Sequence, residues 1–211
     1  MKKTYIITVM LLLLGSLAWH NAATAAALTG ELRDWQSREL QPSIAGKILR
    51  LHILANSDSA EDQSVKIKVR DAVGRELAPL LAEADSLAGT EAIVGEQLAA
   101  VVETAETVLA ENGCSYGAGA KLVTTEFPEK TYGAFTFPEG EYRALEIELG
   151  NGGGHNWWCV LYPNMCFQGT VYEASADGGE VLREVLSPEE YGEVLDSQNY
   201  EIRWKFLEYF R

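Results

Sequence analysis

The segment Gly150 to Phe167, GNGGGHNWWCVLYPNMCF, constrains the fold of this chain more than any other stretch. Each of Gly150, Gly152, Gly153 and Gly154 loses more conformational freedom on folding than any other residue would. So many glycines so close together are kept where the backbone must pass close to another group. His155, Asn156, Trp157 and Trp158 follow at once, then the apolar run Cys159 to Tyr162, a Pro163-Asn164 turn signal and Cys166. Trp157 to Tyr162 reads as a strand entered from the glycine loop. Two readings stand: the tryptophans fill core, or the loop presents His155 and Asn156 at a site.

Upstream, Lys47 to Ala55 (KILRLHILA) alternates Ile48, Leu49, Leu51, Ile53 and Leu54 with Arg50 and His52, the pattern of a strand. Asn56-Ser57-Asp58-Ser59 makes a turn. Ser59 and Asp62 have capping-box spacing before Val65, Val69, Ala72, Val73, Leu77 and Leu80, which recur at helical spacing, and Pro79 should end or bend that helix. A second helix spans Glu91 to Glu111, with Leu98, Val101, Val102, Ala105, Val108 and Leu109 on one face and Asn112-Gly113 as its stop. Strands follow at Lys121–Phe127, Thr131–Phe137 and Tyr142–Leu149, the last two forming a hairpin. In the third, Arg143, Leu145, Ile147 and Leu149 share one face, with Tyr142, Ala144, Glu146 and Glu148 on a wet one. Ser187-Pro188-Glu189-Glu190 opens a short helix, and Tyr200 to Arg211 reads as an aromatic-rich helix. The sum is a single α+β domain over residues 47–211, after a lead-in at 28–46, with helices packed on one face of a largely antiparallel sheet.

The chain has 211 residues and 47% hydrophobic content, enough for an ample core. Its first 27 residues follow another rule. Lys2 and Lys3 precede an apolar run from Tyr5 to Trp19, and Ala22 to Ala27 offers small residues of the A-x-A kind, the pattern of a signal peptide or an uncleaved anchor. Either form exports the rest, and an anchor over residues 5–19 would hold it near a membrane. Those residues carry two of the 17 basic and none of the 31 acidic groups, so the remainder has 15 against 31, a charge of −16. That excess argues against nucleic acid as a partner and favours basic company. Export also permits disulfides, and Cys159 and Cys166 flank a Pro-Asn turn suited to a local bridge. Cys114, in a Gly-rich linker, is then free or an alternative partner.

Three patches could carry chemistry. In the first, Arg50 and His52 share a strand face, the turn places Asn56 and Asp58 at its end, and Asp62-Gln63, Lys66, Arg70 and Asp71 follow on the helix. The plainer reading has Asn56 and Asp58 capping the turn and Arg50 paired with Asp71. The second patch is His155-Asn156. Cys159 lies roughly 13 Å farther along a strand, and a disulfide would consume it as a nucleophile. The third is metal, but HExxH, CxxC and calcium-loop motifs are absent from the sequence, as are G-x-S-x-G, S-x-x-K and a phosphate loop. The residue types expect no catalytic motif, no metal and no cofactor, and describe a recognition protein rather than an enzyme.

The blocks RLHILANSDSAEDQSVKIKVRDAV (Arg50 to Val73), YGAFTFPEGEYRALEIELGNGGGHNWWCVLYPNMCF (Tyr132 to Phe167) and IRWKFLEYF (Ile202 to Phe210) together resemble the stage II sporulation protein R family of endospore-forming Firmicutes. The stretch Ala78 to Gly119 carries little of the likeness. The resemblance implies a signal made in the forespore and exported into the space between forespore and mother-cell membranes. There it would activate a membrane-embedded aspartic protease, which removes the pro-sequence of the mother cell's early sigma factor. A ligand of this kind needs a rigid surface that binds one receptor state better than another. Arg50, His52, Asn56, Asp58, Arg70, Asp71, His155, Asn156, Trp157 and Trp158 are the candidate residues, with the two polar blocks expected to lie together. The rival is an exported hydrolase acting on peptidoglycan or peptide bonds through His155 with Asp58, His52 or Cys159. Convergence of both histidines and an acid in one open cleft would favour it.

Overall fold

The computed structural model describes Glu31, residues 35–166 and residues 176–195. The signal segment and the helix expected at Tyr200–Arg211 lie outside the described residues. The chain divides into a unit Met1–Leu40 and a compact unit Gln41–Arg211. In the first, residues 35–40 are helical and Trp35 is 63% exposed. The second begins six residues before the expected boundary at 47, because Ile44 and Ile48 are buried and Ser43 bonds Glu190 across the chain.

The second unit holds β1 (Leu49–Leu54), α1 (Ala60–Leu81), α2 (Leu87–Glu111), β2 (Ala118–Phe127), β3 (Lys130–Tyr132), β4 (Phe135–Phe137), β5 (Gly140–Leu149), β6 (Asn156–Tyr162), α3 (Ala176–Val185) and α4 (Pro188–Val194). It is an α+β domain. Four strands form one sheet in the order β2-β5-β1-β6, antiparallel except for β1 beside β5. The helix starts are local in origin: Ser59 caps α1 by accepting from the Asp62 N–H, Ser86 caps α2, and Ser187 with Glu190 completes a capping box on α4. Helix α1 runs two residues past Pro79, whose missing N–H falls in the last turn.

Period two in the strands and 3.6 in the helices bring one apolar surface together. Leu49, Leu51, Ile53, Leu145, Ile147, Leu149, Cys159 and Leu161 on the sheet meet Val65, Val69, Val73 and Leu77 of α1 and Val94, Val101, Ala105 and Leu109 of α2. Each buried valine, leucine or isoleucine among them contributes on the order of 1.5–3 kcal/mol by leaving water. Cys159 and Cys166 are joined in a disulfide with Cα atoms 5.8 Å apart, and Cys114 is free.

Three expectations are corrected. Thr131–Phe137 is not one strand: Gly133, at φ 60°, reverses the chain between β3 and β4, which form their own two-stranded sheet, with one isolated bridge from Phe135 to Leu195. The hairpin partner of β5 is therefore β2, in a register running from Phe127 opposite Gly140 to Ala118 opposite Leu149. The face of β5 expected to be wet is covered as well, with Tyr142, Ala144 and Glu146 all buried. The cover comes from the chain between β2 and β5, since Phe127, Tyr132 and Phe137 turn their rings over the sheet around Arg50.

Candidate functional site

The two polar blocks meet at the end of β1. After Leu54 the chain turns through Asn56 to Asp58 into α1, and the Asp62 carboxylate gathers that turn by accepting from Asn56 Nδ2 at 2.9 Å, Ser57 Oγ at 2.5 Å and the Tyr116 hydroxyl at 2.5 Å. The Ser57, Tyr116 and Asn56 donors favour the charged form, holding the Asp62 pKa below the usual carboxylate value. Burial and the Asp62 carboxylate together push the Tyr116 phenol up.

The glycine loop lies against this turn. Gly153 N–H donates to Asn56 O at 3.3 Å, Gly154 N–H to Ala55 O at 2.9 Å, and the Asn56 side-chain oxygen accepts from the Asn151 N–H at 3.1 Å. A Cβ at Gly154 would stand 2.2 Å from the Ser57 carbonyl oxygen, and one at Gly150, where φ is +60°, would stand 2.2 Å from Asn56 Oδ1. These contacts are the close backbone approach that the glycines require.

The loop delivers His155 to Asp58. Asp58 Oδ1 accepts from the His155 N–H at 2.6 Å and lies 2.5 Å from His155 Nδ1. The His155 carbonyl in turn accepts from Lys66 Nζ at 2.7 Å and Gln63 Nε2 at 3.4 Å. His155 is thus tied on both sides of its backbone and at one ring nitrogen although its side chain is 83% exposed. The imidazole and main-chain hydrogen bonds lower the Asp58 pKa, while burial lowers that of Lys66 against the pull of Asp58.

The other candidates fall on opposite sides of the sheet. Trp157, beside Ile53 on the helix side, lies under the Arg70 guanidinium at 4.4 Å, and Arg70 also pairs with Asp71 at 2.6 Å. Asp71 is therefore not the partner of Arg50. Trp158 stacks on His52 at 5.1 Å and meets Phe127 at 4.8 Å on the other side. Asn156 opens β6 opposite Leu54.

Arg50 and His52 lie beneath that aromatic cover, at 0% and 3% exposure, which removes them from any surface a receptor could touch. Arg50 Nε donates to the Cys159 carbonyl at 3.0 Å and Nη2 to the Tyr132 hydroxyl at 3.1 Å, Nη1 has no acceptor among the described residues, and the rings of Phe127 and Tyr142 lie within 5 Å of the guanidinium carbon. Burial lowers its pKa against the pull of Tyr132 and Tyr142. His52 Nε2 is 3.0 Å from Glu146 Oε2, but neither ring nitrogen makes a well-directed hydrogen bond. Burial lowers the His52 pKa more than Glu146 raises it, so the imidazole is neutral at pH 7.

The corner thus joins Asn56, Asp58, His155 and Asn156, with Trp157, Arg70 and Asp71 beside them, and leaves Arg50 and His52 inside. His52 pairs in register with Trp158, three residues from His155 along β6, or roughly 10 Å. The histidines therefore share no cleft. Among the described residues no group of three or more His, Cys, Asp or Glu side chains could hold a metal ion. Lys66 and Gln63 were visible as neighbours of the first patch, but Tyr116 carried no signal: its contact with Asp62 spans 54 positions.

A model of the family described as stage II sporulation protein R matches residues 45–172. The stage II sporulation protein R of Bacillus subtilis (strain 168) is 37% identical over 170 residues, covering 79% of this chain and 72% of the relative. No solved structure matches the chain.

Proposed function

The chain belongs to the stage II sporulation protein R family, and from that premise we propose that it is an exported signalling ligand of endospore formation that activates a membrane-embedded aspartic protease. The consequence would be processing of a pro-sigma factor in the neighbouring cell. Family membership carries the sporulation role. The ligand mechanism is supported by the corner at His155, a surface side chain immobilised by Asp58 and by the Lys66 and Gln63 contacts to its carbonyl. Fixing an exposed side chain costs rotamer entropy that a freely rotating one keeps. Preorganisation of that kind lowers the cost of docking.

A hydrolase is the second reading, favoured by one observation: with Nδ1 on Asp58, the His155 imidazole keeps Nε2 toward solvent, as a general base would. Cys159, the nucleophile that reading would recruit, is consumed by its disulfide. Titration separates the two. Mature protein is added to membranes bearing the protease and its pro-sigma substrate, and processing is followed with and without wash-out. A ligand saturates as receptor sites fill and its effect decays on removal. Persistent processing after complete wash-out, at one molecule per many receptors, would sink the ligand reading.

A further inference from the structure

Among the described residues, the edge of the sheet at β6 is protected along one half only. In an antiparallel pair, opposite residues alternately turn their backbone groups toward each other and away. The Val160 carbonyl accepts from the Met165 N–H at 3.2 Å, a residue of the loop beyond the strand, so Val160 faces outward. Counting back by twos along the register Arg50–Val160, His52–Trp158 and Leu54–Asn156 turns the N–H and C=O of Trp158 and Asn156 outward as well. None of these four groups meets a backbone partner among the described residues. At Val160 to Tyr162 the turn from Pro163 to Cys166 folds back over the edge and is held there by the Cys159–Cys166 disulfide. Chains blunt their edges with such devices because open ones recruit other strands, and here the blunting stops short of Asn156 to Trp158.

We propose that Asn156 to Trp158 accepts an extended segment of the partner protein, which adds to the sheet as a fifth strand and carries an acidic side chain. This rests on the signalling reading above. The open stretch is flanked by a cation on the side of the sheet away from the helices, where Lys130 lies 5.9 Å from the Trp158 ring. Lys66, on the helix side, is buried and already donates to the His155 carbonyl and Gln63 Oε1. Lys130 is not ion-paired with a carboxylate among the described residues, although the chain as a whole has a net charge of −14. A docked strand alternates its side chains between the two sides, which sets a carboxylate against the Lys130 ammonium on one side while Trp157 and Trp158 pack along it. Backbone pairing supplies affinity and the flanking pockets supply specificity.

The test mixes the mature chain with the detergent-solubilised protease and follows two readouts: pro-sigma processing and amide hydrogen exchange in this chain. The amides of Asn156 and Trp158 exchange fast in the free protein and slow at least tenfold on mixing, whereas Trp157 and Cys159, bonded to β1, are slow throughout. Asn156→Pro deletes one outward donor at the first position of an edge strand, where proline is tolerated; it abolishes the protection, while Asn156→Ala keeps it. Lys130→Glu weakens binding about tenfold by reversing a charge at the rim. Protection without processing upholds the strand and refutes the signalling reading. Processing without protection overturns the strand and leaves that reading intact, and absence of both overturns both. Protection that grows with concentration in the protease's absence identifies a second copy of the chain as the occupant and overturns the proposal.

Discussion

On the helix side of the sheet, β1 presents Leu49, Leu51 and Ile53 and β5 presents Leu145, Ile147 and Leu149, all at or below 1% exposure. On the other side the intervening positions carry Arg50, His52, Tyr142 and Glu146, also buried, beneath the rings of Phe127, Tyr132 and Phe137. The first side is held by contacts that need only volume and apolarity. The second is held by directional contacts to groups that burial makes costly, one of them a guanidinium with a nitrogen left unbonded. Stability and specificity are thereby separated across one sheet: α1 and α2 supply the drive to fold, and the ribbon of β3 and β4 seats at one place because Tyr132 has one donor to meet in Arg50.

The largest expected effect lies on the helix side. Leu145→Ala, in the middle of the central parallel pair, should cost about 2–5 kcal/mol in chemical denaturation, the range for deleting a buried leucine. A cost under about 1 kcal/mol would mean that the helix side is not the main source of stability.

Away from the helix side, two buried groups respond to acid. Burial, opposed by Glu146, keeps the His52 pKa below 6.5 in the folded chain, so the unfolded chain takes up the proton first and stability falls as pH drops below 6.5. Burial alone would raise the Glu190 pKa, but the Lys47 ammonium 2.5 Å away, the Ser43 hydroxyl and the Ser187 N–H override it and hold the carboxyl at about 2, against an ordinary value of 4.5. Its contribution is complete above pH 4.5 and is lost as pH falls toward 2. Melting temperature against pH should therefore decline in two phases. His52→Phe should remove the upper phase and Glu190→Gln the lower, while Leu145→Ala should shift the whole curve without changing its shape. A single phase unaffected by either substitution would contradict this division.

Arg50→Met should change stability by less than about 1.5 kcal/mol in either direction, because replacing a buried charge by an apolar side chain of similar length removes a desolvation cost along with its contacts. A loss matching that of Leu145→Ala would show that the aromatic box itself stabilises the cation. The smallest effect belongs to the corner. His155→Ala should leave stability within about 0.5 kcal/mol, as expected for an exposed position, yet abolish activation of the protease. Loss of folded protein in that variant would assign His155 a structural role instead.

Strands β1, β2, β5 and β6, helices α1, α2 and α4, the Ser59 and Ser187 caps and the core face of α1 and α2 could be read along the chain, because each depends on residues within a few positions of one another, whereas α3 at Ala176–Val185 was not expected. Alternation in Lys47 to Ala55 identified β1 but could not say what covered its polar face. The rings of Phe127, Tyr132, Phe137 and Tyr142 come from 75 or more positions away, so the pattern reads Arg50 and His52 as surface when they are core. For the same reason alternation alone puts Tyr142 and Glu146 on a wet face and Thr131–Phe137 in a single strand. The corner itself was half legible. Four glycines announced that something must come close, and the contact they serve joins Asp58 to His155 across 97 positions. Sequence by itself determined most of the regular segments, which positions are apolar and which family the chain resembles, since short-range propensity and periodicity are written locally. Only the tertiary structure decided which strands are neighbours, which polar groups lose their water and which strand lies at the edge of the sheet, because those depend on pairings that chain entropy opposes and only the assembled core can hold.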